Sequence, residues 1–202
     1  HFIHLYFMFR RVKNSFLRYV IISAYSIIIL TCAVQLNFLG LFGYSPTESD
    51  IVMPTLNVAS ELYTADSVLI GRYFEEDRDP VAFDSISKHV IDALIATEDI
   101  RFYKHRGVDF MGLVSVAVST IKGDPRGAST ITQQLAKNLF KTRYANSQGY
   151  LSKIPGVRLL VNKYKEWMTA YKLETKYSKD QILTMYLNTV SFSNNAYGIK
   201  MA

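Results

Sequence analysis

Cysteine is almost missing: Cys32 is the only one in 202 residues, so no internal disulfide can staple the fold and the chain carries no information about redox compartment. It lies in an apolar run, and the preceding Ile29-Leu30-Thr31 is a poor fit to a lipoprotein cleavage box, so it reads as a thiol packed among apolar neighbours. Charge is missing altogether between Tyr19 and Tyr44. No repeat with a period of about 20–50 residues is present, and no low-complexity tract, which excludes solenoids and propellers. No recognised nucleic-acid motif accompanies the net charge of +6, so a nucleic-acid partner is not expected.

What is present begins with that uncharged run, rich in Ile, Leu, Val and Phe and long enough to cross a hydrocarbon core as a helix. Arg10, Arg11, Lys13 and Arg18 precede it and no basic residue follows until Arg72, so residues 1–18 are expected to stay in the cytoplasm and the rest to be exported. No small-residue cleavage site follows, which favours a retained anchor over residues 19–44. Met8-Phe9-Arg10-Arg11 would make a natural start to the chain. The remaining length suffices for one domain with a proper core. Its charge is segregated: Glu48 to Ile121 has six basic and thirteen acidic residues, while Lys122 to Lys179 has twelve basic and three acidic. A solvated helical face would explain the basic block; an anionic ligand is the sharper reading.

Residues 45–84 read as a linker and a small β-hairpin turning at Ala65-Asp66-Ser67. Helical spacing takes over beyond Asp84. Ser85 to Thr97 puts Ile91, Leu94 and Ile95 on one face, and Phe110, Leu113, Val114, Ala117, Val118 and Ile121 repeat at helical intervals after a capping Asp109. Thr130 and Gln133 have the spacing of a capping box ahead of Ile131, Leu135 and Leu139; Ser178 and Gln181 have it ahead of Ile182, Leu183, Tyr186 and Leu187. A long helix is expected over about 159–176, so the domain is mainly α.

Two acids stand out. Glu98 falls on the apolar stripe of its helix, where a carboxylate should be partly desolvated and Asp99 adds like-charge repulsion, as suits a general base. Pairing with Arg101, Lys104 or His105 is the commoner structural alternative. Glu166 lies among Lys163, Lys165 and Lys172, and would be an ordinary helical ion pair or the second carboxylate of glycosyl chemistry. Gly127 to Asn138 places a small-residue turn before a helix amino end, an arrangement that welcomes anions, with Gln134, Lys137 and Asn138 on one face.

Together these segments resemble family 51 glycosyltransferases, the peptidoglycan-polymerising domain of class A penicillin-binding proteins and monofunctional transglycosylases. Glu98-Asp99-Ile100-Arg101-Phe102-Tyr103-Lys104-His105-Arg106-Gly107 matches E-D-x-x-F-x-x-H-x-G, and Gly127 to Asn138 matches G-x-S-T-I-T-Q-Q-L-x-K-N through Ser129, Thr130, Thr132, Gln133, Gln134 and Lys137. Asn162-Lys163-Tyr164-Lys165-Glu166 resembles R-K-x-x-E with Asn162 in the arginine position, and Lys179 to Asn188 resembles K-x-x-I-L-x-x-Y-x-N. Ser191 and Ser193 stand where the family usually has an aromatic and a glycine, while Tyr197-Gly198 is present.

The resemblance implies a mainly α, lysozyme-like domain with a small jaw over residues 85–202, continuing beyond Ala202, as the amino-terminal part of a bifunctional enzyme. Lipid II and the growing glycan strand would be the substrates, with cell-wall assembly proteins as partners and the catalytic domain outside the cytoplasmic membrane. Glu98 would be the general base. Glu166 would sit near the leaving pyrophosphate, orienting cations or a divalent metal (Mg or Mn); no nucleotide cofactor is implied. Lys137, Lys163 and Lys165 would neutralise the pyrophosphate. Ser129, Thr130, Gln133 and Gln134 would position sugar and phosphate oxygens; Asp99, Phe102, His105, Gly107, Gly127 and Asn138 complete the expected substrate-binding set. Asn162 removes a bidentate phosphate partner, for which Arg143 or Arg158 is the expected substitute. The competing readings are a lysozyme-like glycan hydrolase and an inactive membrane-tethered scaffold.

Overall fold

A computed structural model describes residues 15–52, 54, 60–73, 77–124, 127–144, 148–193 and 196–202. The basic residues Arg10, Arg11 and Lys13, and most of the linker between 53 and 59, lie outside the described residues. The uncharged run forms helix α1, Ser15–Gln35, whose segment Leu17–Gln35 is long and apolar enough to cross a membrane. Its side chains are mostly exposed, Cys32 included, against the packed thiol expected; Val34 is the exception, buried against the domain. The helix stops nine residues before the uncharged run does. Asn37 and Leu39 adopt positive φ angles of 44° and 53°, and the Asn37 side-chain oxygen accepts from the backbone N–H groups of Phe42 and Gly43 at 3.1 and 2.6 Å. That turn folds residues 38–44 back onto the domain, where Gly149 lies so close that a Cβ would stand 2.3 Å from the Gly43 nitrogen.

The expected linker contains a short helix α2, Glu48–Val52, which is anchored rather than free: Ile51 is fully buried in the core, and Tyr177 donates its hydroxyl to the Ile51 carbonyl at 2.7 Å. Strands β1 (Ser60–Tyr63) and β2 (Leu69–Tyr73) form the hairpin expected around Ala65-Asp66-Ser67. A second small sheet was not legible from alternation because its strands are two or three residues long: β3 (Asp77–Arg78) runs parallel to β5 (Ala196–Tyr197), which pairs antiparallel with β4 (Ser191–Ser193).

The helices follow: α3, Lys88–Glu98; α4, Phe110–Ile121; α5, Ile131–Leu139; α6, Pro155–Lys176; and α7, Lys179–Thr189. Asp109 caps α4 by accepting from Gly112 N–H, and Ser178 with Gln181 forms the reciprocal capping box of α7. Thr130 caps α5, but the box is only half formed, because the Gln133 amide donates instead to the Gly107 carbonyl. Helix α6 starts four residues earlier than its apolar pattern indicated, at Pro155, whose fixed φ suits a first helical position.

Ile131, Leu135 and Ala136 of α5, Leu173 of α6 and Ile182, Leu183 and Leu187 of α7 form the core, joined by Ile91 and Phe102. The apolar stripe of α4 does not join it: Phe110, Val114, Val118 and Ile121 are exposed. Periodicity reveals that a helix has an apolar face but not what the face meets.

Gly107 ties two of these layers together at φ +82°, with an added Cβ 2.8 Å from both the carbonyl carbon and oxygen of Ala170 in α6. Gly107→Ala should therefore destabilise the protein by about 3 kcal/mol or more, from strain plus a backbone collision. Urea unfolding measures this, and a loss of under about 0.5 kcal/mol, the usual range for an unconstrained position, would show that the close approach is not real.

Candidate active site

The site is built on a buried polar knot. Asp99, 7% exposed, turns inward at the end of α3 and accepts from His105 Nε2 at 3.0 Å and from the backbone N–H of Ile131 at 3.1 Å. The Gly107 carbonyl receives two donors, Thr130 Oγ1 at 2.7 Å and Gln133 Nε2 at 3.1 Å. Lys179 closes the knot from α7: its ammonium lies 4.2 Å from the Phe102 ring centre, donates to the His105 carbonyl at 2.8 Å and pairs with Glu174, which also accepts from Thr132. These bonds pin the Glu98–Gly107 segment to the Gly127–Asn138 segment.

With Asp99 turned in, Glu98 turns out. It is the last residue of α3 and is exposed, against the partial desolvation expected from its place on the apolar stripe; one residue from the helix end, its side chain clears the core. Two of the groups expected beside it are engaged elsewhere: Arg101 pairs with Asp109 at 2.7 Å and His105 with Asp99. Its partner is the Gln134 amide, which donates to Glu98 Oε2 at 2.6 Å. The amide is itself oriented by Tyr186, whose hydroxyl donates to Gln134 Oε1 at 3.1 Å. Burial, with the Glu98 charge adding to it, pushes the Tyr186 phenol up to about 12, so it remains a donor. Glu98 opens on a cavity of about 220 Å³ whose opposite wall is Gly127, Ala128, Ser129 and Thr130.

Ser129 connects this cavity to the second acid. Lys163 Nζ donates to Ser129 Oγ at 2.8 Å and lies 2.9 Å from Glu166 Oε2, while Arg143 Nε donates to Glu166 Oε1 at 2.7 Å. Glu166 is 1% exposed on α6, so each of its oxygens faces a cation. Arg143 then lines a neighbouring cavity of about 510 Å³ with Lys137, Asn138, Lys141, Tyr144 and Thr189, three cations and no acid among them. Thr189 is buried with its hydroxyl unpartnered. Glu98 and Glu166 thus stand at two ends of one run of contacts, with a pool of positive charge beyond the second.

Several expected ligand-binding residues are instead interior. Phe102, Gln133 and His105 are buried or nearly so, with Gln133 committed to Gly107, so they shape the walls. Lys165 is fully buried and does not present its ammonium to either cavity, because residue 165 points into the domain while Lys163, two residues earlier on α6, reaches the cleft. Asn162 is buried too, and of the two proposed substitutes for an arginine there, Arg143 is the one that reaches Glu166. Tyr186, Lys141 and Thr189 were missed as site residues. Tyr186 was read as a core and signature position without a role at the site, whereas Lys141 lay within the basic block.

Among the described residues, the one group of three metal-type ligands close together is Asp99, His105 and Asp109. Each is already engaged, Asp99 and His105 with each other and Asp109 with Arg101 and Gly112. Glu166 belongs to no such group and is faced by two cations, so these residues do not fit a divalent ion there.

An exposed carboxylate, a polar turn and a cationic cavity with no acid among its described lining residues lie along one run of contacts. The model of the Transglycosylase family matches residues 66–202, and the chain belongs to that family. It is 37% identical over 187 residues, 88% of its length, to penicillin-binding protein 1A of Escherichia coli (strain K12). It is 33% identical over 192 residues, 94% of its length, to penicillin-binding protein 1F of Bacillus subtilis (strain 168). These alignments cover 20% and 24% of the two relatives, so the chain spans about a fifth to a quarter of their length.

Burial pushes the Lys165 ammonium down to about 8, below the ordinary lysine value of 10.5. An unfolded chain therefore binds more protons here between those values. Holding this lysine charged costs stability below about pH 8, and the cost is relieved as pH rises toward 10.5. Urea unfolding between pH 7 and about 10 should show a smaller rise for Lys165→Met than for the parent. Parallel curves for the two proteins would contradict the assignment.

Proposed function

We propose that this chain is the glycosyltransferase part of a class A penicillin-binding protein, with a lysozyme-like fold, and that it joins lipid II units into β-1,4-linked glycan. Glu98 takes the proton from the 4-hydroxyl of the acceptor sugar as that oxygen attacks the anomeric carbon of the donor. The bond from that carbon to the pyrophosphate breaks with inversion, and its electron pair leaves on undecaprenyl pyrophosphate. Exposure suits Glu98 to this task, since an acceptor hydroxyl can reach its carboxylate and the Gln134 bond aims it.

The leaving group gains charge as the bond breaks, so fixed cations act where charge develops. Lys137, Lys141 and Arg143 supply them, and Glu166 holds Arg143 and Lys163 in position. Those two already bring the positive charge that a divalent cation would bring to Glu166. The single observation that carries the reading is the run of contacts from the Glu98 cavity through Ser129 and Lys163 to Glu166 and the acid-free cationic cavity. A hydrolase cutting finished glycan has no pyrophosphate to stabilise and no use for that cavity. The scaffold reading is disfavoured because both carboxylates retain polar partners suited to chemistry.

Helix α1 would hold the domain at the outer face of the cytoplasmic membrane, with residues 1–18 inside. The exposed apolar side chains of α4, and Ile154, Leu159 and Leu160 near the start of α6, would rest against the same bilayer.

The test uses labelled lipid II and the full-length protein. Glycan strands should form, and Glu98→Gln should slow their formation by about 10²- to 10⁴-fold with unchanged thermal stability, as expected for loss of a general base. Shortening of preformed strands without polymer growth would replace the proposal with hydrolysis; normal growth by Glu98→Gln would remove Glu98 from the chemistry. Arg143→Gln should cost about 10²- to 10³-fold in turnover, the usual effect of losing one group that stabilises developing charge. If turnover is unchanged, Arg143 does not stand in for the arginine absent at position 162.

A further inference from the structure

Tyr186 occupies a place in the core that a phenylalanine ring would fill as well: it is 5% exposed and clusters with Ile182, Leu183 and Leu187. What its hydroxyl adds is the 3.1 Å bond to Gln134 Oε1. Gln134 in turn donates from Nε2 to Glu98 Oε2 at 2.6 Å. Side chains from α7, α5 and α3 thus form one line from the core to the cleft, and each bond in it has a fixed direction. An ionised carboxylate and an amide oxygen can only accept, so the amide nitrogen must face Glu98 and the phenol must donate behind it.

We propose that Tyr186 is a positioning residue for glycosyl transfer, holding the Gln134 amide with its N–H toward Glu98 throughout the proton transfer. The inference rests on reading Glu98 as the general base. While Glu98 is ionised, its own charge keeps the amide N–H turned toward it. Once Glu98 has taken the proton of the acceptor that charge is gone, and an untethered amide is free to turn its oxygen to the new O–H. The terminal torsion of a glutamine is broad and roughly two-fold, so the side chain itself offers little resistance. A flipped amide would hold the proton on Glu98 and draw the carboxyl away from the next acceptor hydroxyl. Tyr186 opposes the flip, because turning the amide would point an N–H at the buried phenol and take away the acceptor of its O–H, a costly loss at this depth. Burial, with the Glu98 charge adding to it, pushes the phenol up to about 12, so it stays a donor while Glu98 changes state. The tether is therefore anchored in the core and independent of the group that titrates.

The experiment measures lipid II polymerisation by the full-length protein with Tyr186→Phe, Gln134→Met and the two combined, each rate referred to the folded fraction found by urea unfolding. Tyr186→Phe should lower kcat by about three- to tenfold, the range that one hydrogen bond covers, with KM within about twofold. In the Gln134→Met background the same change should cost less than about twofold, since the phenol then has no amide to hold. A tyrosine that serves only the core would lower stability and leave kcat per folded molecule unchanged, and that result overturns the proposal. So does an equal loss of kcat in both backgrounds, because Tyr186 then acts by a route other than Gln134. A rise in KM at constant kcat would make Tyr186 a contributor to substrate binding and overturn it too. Absence of polymer from the parent protein would overturn the glycosyltransferase reading itself, and the positioning role with it.

Discussion

One buried carboxylate sets the geometry on which the site depends. Asp99 accepts from the imidazole of His105 and from the first amide of α5, and so welds the end of α3 to the beginning of α5. An unpaired carboxylate at that depth would be costly, and the two donors offset the cost only in one relative placement of the segments. That placement faces Glu98 outward, opposite Ser129, because adjacent residues at a helix end cannot both point inward. The Glu98-Asp99 pair is therefore a division of labour: the second acid is spent on structure so that the first is left presented to the cleft.

Electrostatics is arranged on the same economy farther along. Glu166 is more deeply buried than Glu98, yet it is the acid with both oxygens on cations. A carboxylate so placed is an organiser: it fixes two long, flexible cationic side chains, one of which lines the cationic cavity. Removing Glu166 would leave two cations without their acid, whereas losing either cation leaves Glu166 the other. In the cationic cavity beyond it, lined by Lys137, Lys141 and Arg143, Glu166 restrains Arg143 through its hydrogen bond.

Much of this was legible in the residues. The helices whose apolar positions meet the core, α3, α5 and α7, were readable from spacing, as were the Asp109 and Ser178 caps. The basic block pointed to an anion. What could not be read was direction and depth. The stripe on α4 has the same period as that on α7, but only α7 is packed inward, and periodicity carries no information about what lies opposite. Lys163 and Lys165 looked equivalent in the sequence; the two-residue offset sends one to the cleft and the other to the interior. Gln133 matched a capping box and a ligand-binding motif at once, and its amide donates to the Gly107 carbonyl, twenty-six residues away, instead of closing the box. Arg143 belongs to none of the recognised segments, yet it donates to Glu166. Long-range partners of this kind are fixed by tertiary packing and leave no local signal.

Helix α6 explains why helix α1 and the site form one object. It carries Lys163 and Glu166 on the cleft side, while farther along Lys172 donates to Gln35 at the end of α1 at 2.6 Å and to the Pro46 carbonyl at 2.9 Å. Burial lowers the Lys172 pKa against the opposing pull of Glu48 and Asp50, so desolvation outweighs those acids at this junction. Together with the Thr31–Tyr164 bond, this gives α1 two polar attachments to α6, a turn or so apart on α1 and about two turns apart on α6. A helix fastened at two points cannot roll or slide freely. The height of Glu166 and Lys163 above the end of α1 is then set by the rise of α6 itself rather than by a flexible linker. The substrate proposed above, whose reactive sugar hangs a fixed distance above its lipid, calls for that kind of ruler, and the ruler here is the helix that also carries Lys163 and Glu166.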